Sequence, residues 1–312
     1  MYKYIFGPVP SRRLGISLGI DLLKEKICSL NCIYCECGKT NVLTATRNQF
    51  VPLSDVYEEI KDYFSEYDKP DYVTFSGSGE PTLHIGIGEV IDFLKDNYDV
   101  PIAVLTNGTL LHDKKVRKDL LRADLVIPSL DSALDLSYKK INRPHKSIKI
   151  DEYIQGLIDF RNEFEGDIWL EVFIIPEIND SEEDLIALKN AIVRINPNRI
   201  QLNSMDRPGT VSGLKKATNQ ELMRIINFWE LDNVEIIAKF TRREQIKSYN
   251  SNKEEAILET ISRRPCTLED LEHLTGLHKN EVNKYLDVLE SSGRIKPENL
   301  DRGAFYMLKT DV

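Results

Sequence analysis

Cys28-Ser-Leu-Asn-Cys32-Ile-Tyr-Cys35 places three thiols within eight residues, at the spacing C-x3-C-x2-C. The stretch follows an apolar run, Leu14–Leu22, that reads as a strand. It therefore belongs on a loop at a strand's C-terminal end, where barrel-like folds put their chemistry. Iron–sulfur clusters are held by cysteine thiolates, usually four. Three would leave one iron open to bind a substrate or cofactor. The competing reading is zinc, which takes four closed ligands in structural sites, and Cys37 would complete a four-cysteine set. The five histidines (84, 112, 145, 273, 278) show no paired metal spacing and do not help to choose.

Outward from this stretch the chain alternates. Short runs rich in Ile, Val, Leu and Phe recur at Tyr72–Ser76, Pro101–Leu105, Asp124–Leu130, Ile168–Ile175 and Arg199–Asn203, with a further strand at Val234–Ala238. Such continuous runs suit parallel strands buried on both faces. Between them lie helix-period segments. Val56, Ile60 and Phe64 share a face, as do Tyr153, Leu157, Phe160 and Phe164. Leu185, Leu188 and Ile192 follow a capping pair, Ser181 and Asp184, and another helix fits Gln220–Glu230. A β–α alternation of this kind predicts an α/β fold, a partial (β/α)6 TIM-type barrel over residues 1–244.

Polar residues 245–252 carry no apolar face and read as a linker. Residues 253–312 then give three helical patterns and a β-hairpin, the order of a winged helix. Thr267 and Asp270 cap the second helix, and Gly276 closes it.

The 312 residues carry 50 acidic against 41 basic side chains, a net charge of −9, so composition does not point to nucleic acid. The C-terminal segment from Lys253 has nine Lys and Arg against twelve Asp and Glu, which is unhelpful for a nucleic-acid reader. No run approaches the ~18 apolar residues of a membrane helix. Met1–Pro10 lacks the charged-then-apolar order of a signal peptide. Five cysteines, an odd number with three clustered, argue for metal or redox chemistry over a disulfide framework. These readings predict a cytoplasmic protein with no membrane partner.

A second motif follows the second barrel strand: Ser76-Gly77-Ser78-Gly79-Glu80-Pro81. With the C-x3-C-x2-C stretch, and Tyr34 as the aromatic before its last cysteine, residues 5 to 205 resemble the radical S-adenosylmethionine (SAM) superfamily. Ser78 stands at one expected glycine, but Gly79-Glu80-Pro81 is intact. The resemblance implies a [4Fe-4S] cluster on Cys28, Cys32 and Cys35, with SAM chelated to the open iron. It implies reductive cleavage of SAM and hydrogen abstraction from a substrate by a 5′-deoxyadenosyl radical, with an electron donor such as ferredoxin or flavodoxin.

The resemblance also implies site residues. Tyr34 would offer its backbone to adenine, and Gly79 and Glu80 would meet the methionine amino group. Thr106 and Asn107 end the third strand with polar groups. Ser129 first, and Asp131 second, would contact the ribose or carboxylate. Ile175 would make a backbone contact to adenine, although Glu177 stands where similar families carry glycine. By strand phase, Glu171 and Asn203 point toward the cavity, or else are buried polar groups satisfied by neighbours.

Within the superfamily, Gly7–Gly15, Ile141-Asn142-Arg143-Pro144-His145 and Phe173–Asp180 resemble the branch related to the tRNA wyosine-base-forming enzyme. That enzyme carries a second three-cysteine cluster. Only Cys37 and Cys266 remain here, so its reaction is not implied. Cys37 would touch substrate or be a spectator thiol, and Cys266 reads as structural. Arg12 and Arg13 suit a substrate carboxylate or phosphate, or a salt bridge to an acidic helix. The substrate expected is a peptide, a protein or tRNA, with a small metabolite third. The rival function is an iron–sulfur or zinc sensor acting through its winged helix.

Overall fold

The computed structural model describes residues 2–11, 13–23, 25–205, 209–237, 251–263, 265–300 and 303–309. In chain order the large domain contains strands β1 (Ile5–Ser11), β2 (Gly15–Ile20), the short pair β3 (Ile27–Cys28) and β4 (Val42–Leu43), β5 (Tyr72–Phe75), β6 (Ile102–Thr106), β7 (Leu125–Pro128), β8 (Asp167–Phe173), β9 (Arg199–Asn203) and β10 (Val234–Ile236). Its helices are α1 (Leu53–Glu66), α2 (Ile87–Asn97), α3 (Lys114–Leu120), α4 (Asp135–Ile141), α5 (Ile150–Glu163), α6 (Glu182–Ile195) and α7 (Asn219–Trp229).

The main sheet runs β1-β2-β5-β6-β7-β8-β9-β10. From β2 to β10 every neighbour is parallel. Parallel strands need crossovers, and the helices supply them while covering the sheet. Val73, Phe75, Val104, Val126 and Leu170 are buried accordingly. This is the α/β parallel sheet of a partial barrel, and it brings the C-terminal ends of the strands to one rim.

The sequence reading differs at β1. No expected strand precedes Leu14, yet β1 pairs antiparallel with β2, with a register irregularity between Phe6 and Val9. Proline has no N–H to give a ladder, but β1 is the sheet's edge, where one side needs no partner.

The helix signals read from sequence correspond to α1, α5, α6 and α7. Ser181 Oγ accepts from the Asp184 N–H at 3.1 Å, fixing the start of α6.

The C-terminal elements are α8 (Ser251–Arg263), β11 (Cys266–Thr267), α9 (Leu268–Thr275), α10 (Lys279–Ser291), β12 (Ile295–Leu300) and β13 (Gly303–Leu308). The strands form an antiparallel sheet in the order β11-β13-β12. Thr267 and Asp270 make a reciprocal capping box at α9. This domain has its own core around Ile257, Cys266, Leu271, Leu286 and Ile295, so Cys266 sits where a structural thiol belongs. Ala238 of the last expected barrel strand and residues 245–250 of the expected linker lie outside the described residues, and 251 already opens α8. Among the described residues no helix is long and apolar enough to cross a membrane.

Candidate active site

The loop from β2 to β4 carries the three clustered cysteines to the rim, and each sulfur meets hydrogen-bond donors. Cys28 Sγ accepts from the Leu30 N–H and from Asn107 Nδ2, both at 3.5 Å. Cys32 Sγ accepts from Asn142 Nδ2 at 3.4 Å. Cys35 Sγ accepts from Lys26 Nζ at 2.6 Å. Each sulfur thus has at least one N–H donor, which favours the thiolate that a cluster ligand must be. Among the described residues no three His, Cys, Asp or Glu side chains converge on a single metal ion. Three thiols, each with an N–H donor, are the kind of ligand set an iron–sulfur cluster takes.

Cys37 lies beside the triad and lines the same cavity. Its Sγ lies 3.9 Å from the Gly77 carbonyl oxygen and 3.5 Å from Asn280 Oδ1. A hydrogen bond from Cys37 holds the Cys35 thiol well below its usual range, helped by the Lys26 charge. The same bond, with burial, raises Cys37. Burial pushes Cys28 up to about 11 and Cys32 well above its ordinary value in the metal-free protein. Burial alone would pull the Lys26 ammonium down, but the thiols of Cys35, Cys37 and Cys28 around it raise it.

Lys26→Met removes that charge while keeping an unbranched apolar stem. The expected result is a cluster with a more negative midpoint potential and a loss of about 10–100-fold in SAM-cleaving activity. Potentiometric EPR titration reads the first and product assay the second. Sequence reasoning passed over Lys26 because it lies before the motif and looks like a surface lysine.

The second motif is built around close approach. A Cβ on Gly79 would lie 1.8 Å from the Ile27 carbonyl oxygen, so only glycine fits there. Glu80 N–H donates to that same oxygen at 3.0 Å. Glu80 itself is buried, and burial pushes its carboxyl up. Four donors oppose that push: Thr82 N–H at 3.0 Å, Thr82 Oγ1 and Thr106 Oγ1 at 2.6 Å, and Asn107 N–H at 2.6 Å. Thr106 and Asn107 line the cavity as expected, and they also hold Glu80 and Cys28 in place.

One cavity of about 370 Å³ joins these parts. Cys28, Cys32, Cys35, Glu80, Asn107 and Ser129 line one region of it. Arg13 and Glu171 line another. Arg13 forms a salt bridge with Glu171 and donates to Gln201 Oε1 at 3.1 Å. The partner of Arg13 is thus a barrel-strand carboxylate, not an acidic helix. Arg12 lies outside the described residues. Asn280, Asn283, Lys284 and Asp287 of α10 also line the cavity, at the i, i+3, i+4, i+7 spacing of one helix face.

Two expected contact residues are not among the cavity's lining. Asp131 is buried and does not line the cavity. It accepts from Tyr34 Oη at 2.6 Å, Asn142 Nδ2 at 2.6 Å and the Phe173 N–H at 2.9 Å. Burial pushes its carboxyl up to about 6. It braces the cysteine loop against β8 and α4. Ile175 also lies away from the cavity. Its N–H donates to Asn179 Oδ1 at 2.8 Å and its carbonyl accepts from the Ile178 N–H at 3.1 Å, closing a turn. Asn203 turns its Oδ1 onto the Ser204 N–H at 2.9 Å. Tyr34 lines the cavity, with its ring stacked on Phe173 at 3.9 Å. Glu177 has φ +69°, a conformation that glycine adopts most readily.

Two further residues belong to the site. Asn142 links Cys32 to Asp131, which gives a physical role to the stretch 141–145. Asp21 is buried and accepts from Ser78 N–H and Ser78 Oγ, both at 2.9 Å.

A family model described as the radical SAM superfamily matches residues 26–188. A UPF0026 protein of Methanocaldococcus jannaschii is 33% identical over 97% of this chain and 95% of its own length. A Brachyspira hyodysenteriae protein named GTPase Obg is 36% identical over 95% of this chain, which spans only 44% of that relative. The crystal structure of a radical SAM methyltransferase from Sphaerobacter thermophilus has a TM-score of 0.53 at 14% identity, covering 70% of this chain and 65% of its own. That likeness concerns the fold.

Proposed function

The chain belongs to the radical SAM superfamily, alongside UPF0026 proteins, and from that premise we propose a hydrogen-abstracting enzyme whose substrate is held between the barrel rim and α10. It is a radical SAM enzyme, so the sensor reading falls away. Its family implies a [4Fe-4S] cluster and SAM, which together supply a 5′-deoxyadenosyl radical that takes a hydrogen atom from the substrate.

The residues divide the work. Cys28, Cys32 and Cys35 would hold three irons, and Lys26, Asn107 and Asn142 orient their sulfurs. Gly79 lets the backbone approach closely, and Glu80 offers a buried acceptor to the methionine ammonium. Ser129 faces the same space. Arg13, Glu171, Asn280, Lys284 and Asp287 surround the remainder, where the substrate would sit. Tyr34, its ring stacked on Phe173, lines the cavity beside them.

The observation that carries this reading is the shared cavity. The triad, Glu80 and one face of α10 all line it. We read the C-terminal domain as a winged helix whose third helix is turned onto the barrel. With α10 over the rim, the reading we favour is a small polar substrate held beneath it. A peptide or tRNA would enter only as one extruded residue or nucleotide. The kinship to the wyosine-forming branch stays part of this reading, without that enzyme's reaction. An external one-electron donor of the ferredoxin or flavodoxin type would reduce the cluster.

Anaerobic reconstitution with iron, sulfide and dithionite tests the proposal. The loaded protein is expected to release 5′-deoxyadenosine from SAM, faster when the low-molecular-weight fraction of a cell extract is added. No release from a preparation carrying four irons per chain would defeat the reading. Stimulation by the macromolecular fraction alone would replace the small substrate with a large one.

A further inference from the structure

The second motif is tied to the C-terminal domain through a side chain 257 residues away in sequence from its partner. His278 is the N-cap of α10, and its Nδ1 accepts from the Asn280 N–H at 3.1 Å. A ring nitrogen that accepts carries no proton, so the proton of the neutral ring sits on Nε2. Nε2 donates to Asp21 Oδ2 at 2.9 Å. The same oxygen takes the Ser78 N–H and Ser78 Oγ, while Asp21 Oδ1 accepts from the Leu23 N–H at 3.0 Å. The imidazole also stacks on Phe6 of the edge strand, with ring centroids 4.2 Å apart and planes 5° from parallel.

Asp21 is 3% exposed, and a Cβ on Gly77 would land 2.2 Å from its Oδ1. The carboxylate is therefore wedged under the loop that presents Gly79 and Glu80. Whatever moves Asp21 moves that loop.

We propose that His278 is a positioning residue for SAM binding: through Asp21 and Ser78 it couples docking of the C-terminal domain to the shape of the Ser76–Pro81 loop. The proposal rests on the reading of that loop as the receiver of SAM's methionine part. Coupling of this kind is reciprocal, because each event must favour the other by the same factor. SAM bound at the loop thus tightens α10 over the cavity, and a docked α10 tightens SAM. The cover would close when the cofactor is in place, which keeps water from the reacting atoms.

The test uses the full-length reconstituted protein, with equilibrium dialysis for SAM and hydrogen exchange for the two segments. His278→Ala is expected to weaken SAM binding by roughly 10-fold. It should also speed exchange at residues 76–81 as well as in α10. His278→Gln keeps an amide donor of similar reach and is expected to recover most of the affinity. In the unaltered protein, SAM should slow exchange in α10, and in His278→Ala it should not. Unchanged SAM affinity in His278→Ala with faster exchange confined to α10 would overturn the coupling and leave a plain docking contact. So would SAM that binds the unaltered protein without slowing α10. Loaded protein that binds no SAM at all would instead defeat the reading of the loop itself.

Discussion

Cys32→Ser is expected to reduce iron from four per chain to background after reconstitution and to abolish the cluster's absorbance and EPR signal. A serine hydroxyl is a poor soft-metal ligand, and the remaining pair of thiols cannot hold a site-differentiated cluster. SAM cleavage should fall by at least about 1000-fold, since the cofactor carries the difficult chemistry and rate enhancements of enzymes start near 10⁶. The fold should survive. Asn142 keeps its 2.6 Å bond to Asp131, and Thr210 Oγ1 still donates to the Cys32 carbonyl at 3.1 Å. Cys37→Ser is the informative control. Its sulfur faces Gly77 and Asn280 as well as Cys35, so the variant should keep four irons. It should change the potential modestly, because a serine hydroxyl replaces the thiol beside Cys35. Iron loss in Cys37→Ser as complete as in Cys32→Ser would mean a four-thiol site and bring back the zinc-like assignment.

The parallel sheet was legible because its strands are buried on both faces, and unbroken runs such as Tyr72–Phe75 and Leu125–Pro128 have no soluble alternative. Glu171 was legible by phase, since it lies inside β8, where alternation holds. Asp131 was not. Its expected contact came from the resemblance, and because β7 ends at Pro128 strand phase says nothing about where its side chain points. The carboxylate turned to Tyr34, Asn142 and Phe173, which together satisfy it better than a rim position would. Asn203, the last residue of β9, follows the other reading, a polar group satisfied by its neighbour Ser204. β1 was hidden because an edge strand tolerates the prolines that normally exclude a strand. His278 carried no local signal, since an N-cap histidine looks the same whether or not a carboxylate from another domain waits beside it. Lys26 and Asn142 were in view as sequence, but their roles are contacts with sulfur, and spacing does not encode those.

Gly79→Ala is expected to separate cofactor binding from cluster assembly. The added methyl would sit 1.8 Å from the Ile27 carbonyl oxygen, 2.7 Å from its carbon and 2.8 Å from Leu23 Cδ1. The leucine end could turn aside, but the carbonyl could not. It accepts the Glu80 N–H at 3.0 Å, and Ile27 pairs with Val42 in the small sheet immediately before Cys28. Overpacking costs about 1–3 kcal/mol, and a backbone obstacle puts this site near the upper end. The cheaper escape is for the half-buried residues 76–79 of the loop to swing outward, since shifting Ile27 would drag the cysteine loop. Relief of that strain would leave Glu80 displaced from where the methionine ammonium needs it. SAM binding must then restore the loop, and about 3 kcal/mol corresponds to roughly a 100-fold weaker dissociation constant. Iron content should stay near four per chain, because the three cysteines and their N–H donors are untouched. Equilibrium dialysis with labelled SAM and iron analysis on the same preparation measure both quantities. Full SAM affinity in Gly79→Ala would show that close backbone approach at this position serves folding alone, and Glu80 would then have to receive the cofactor from a loop free to move.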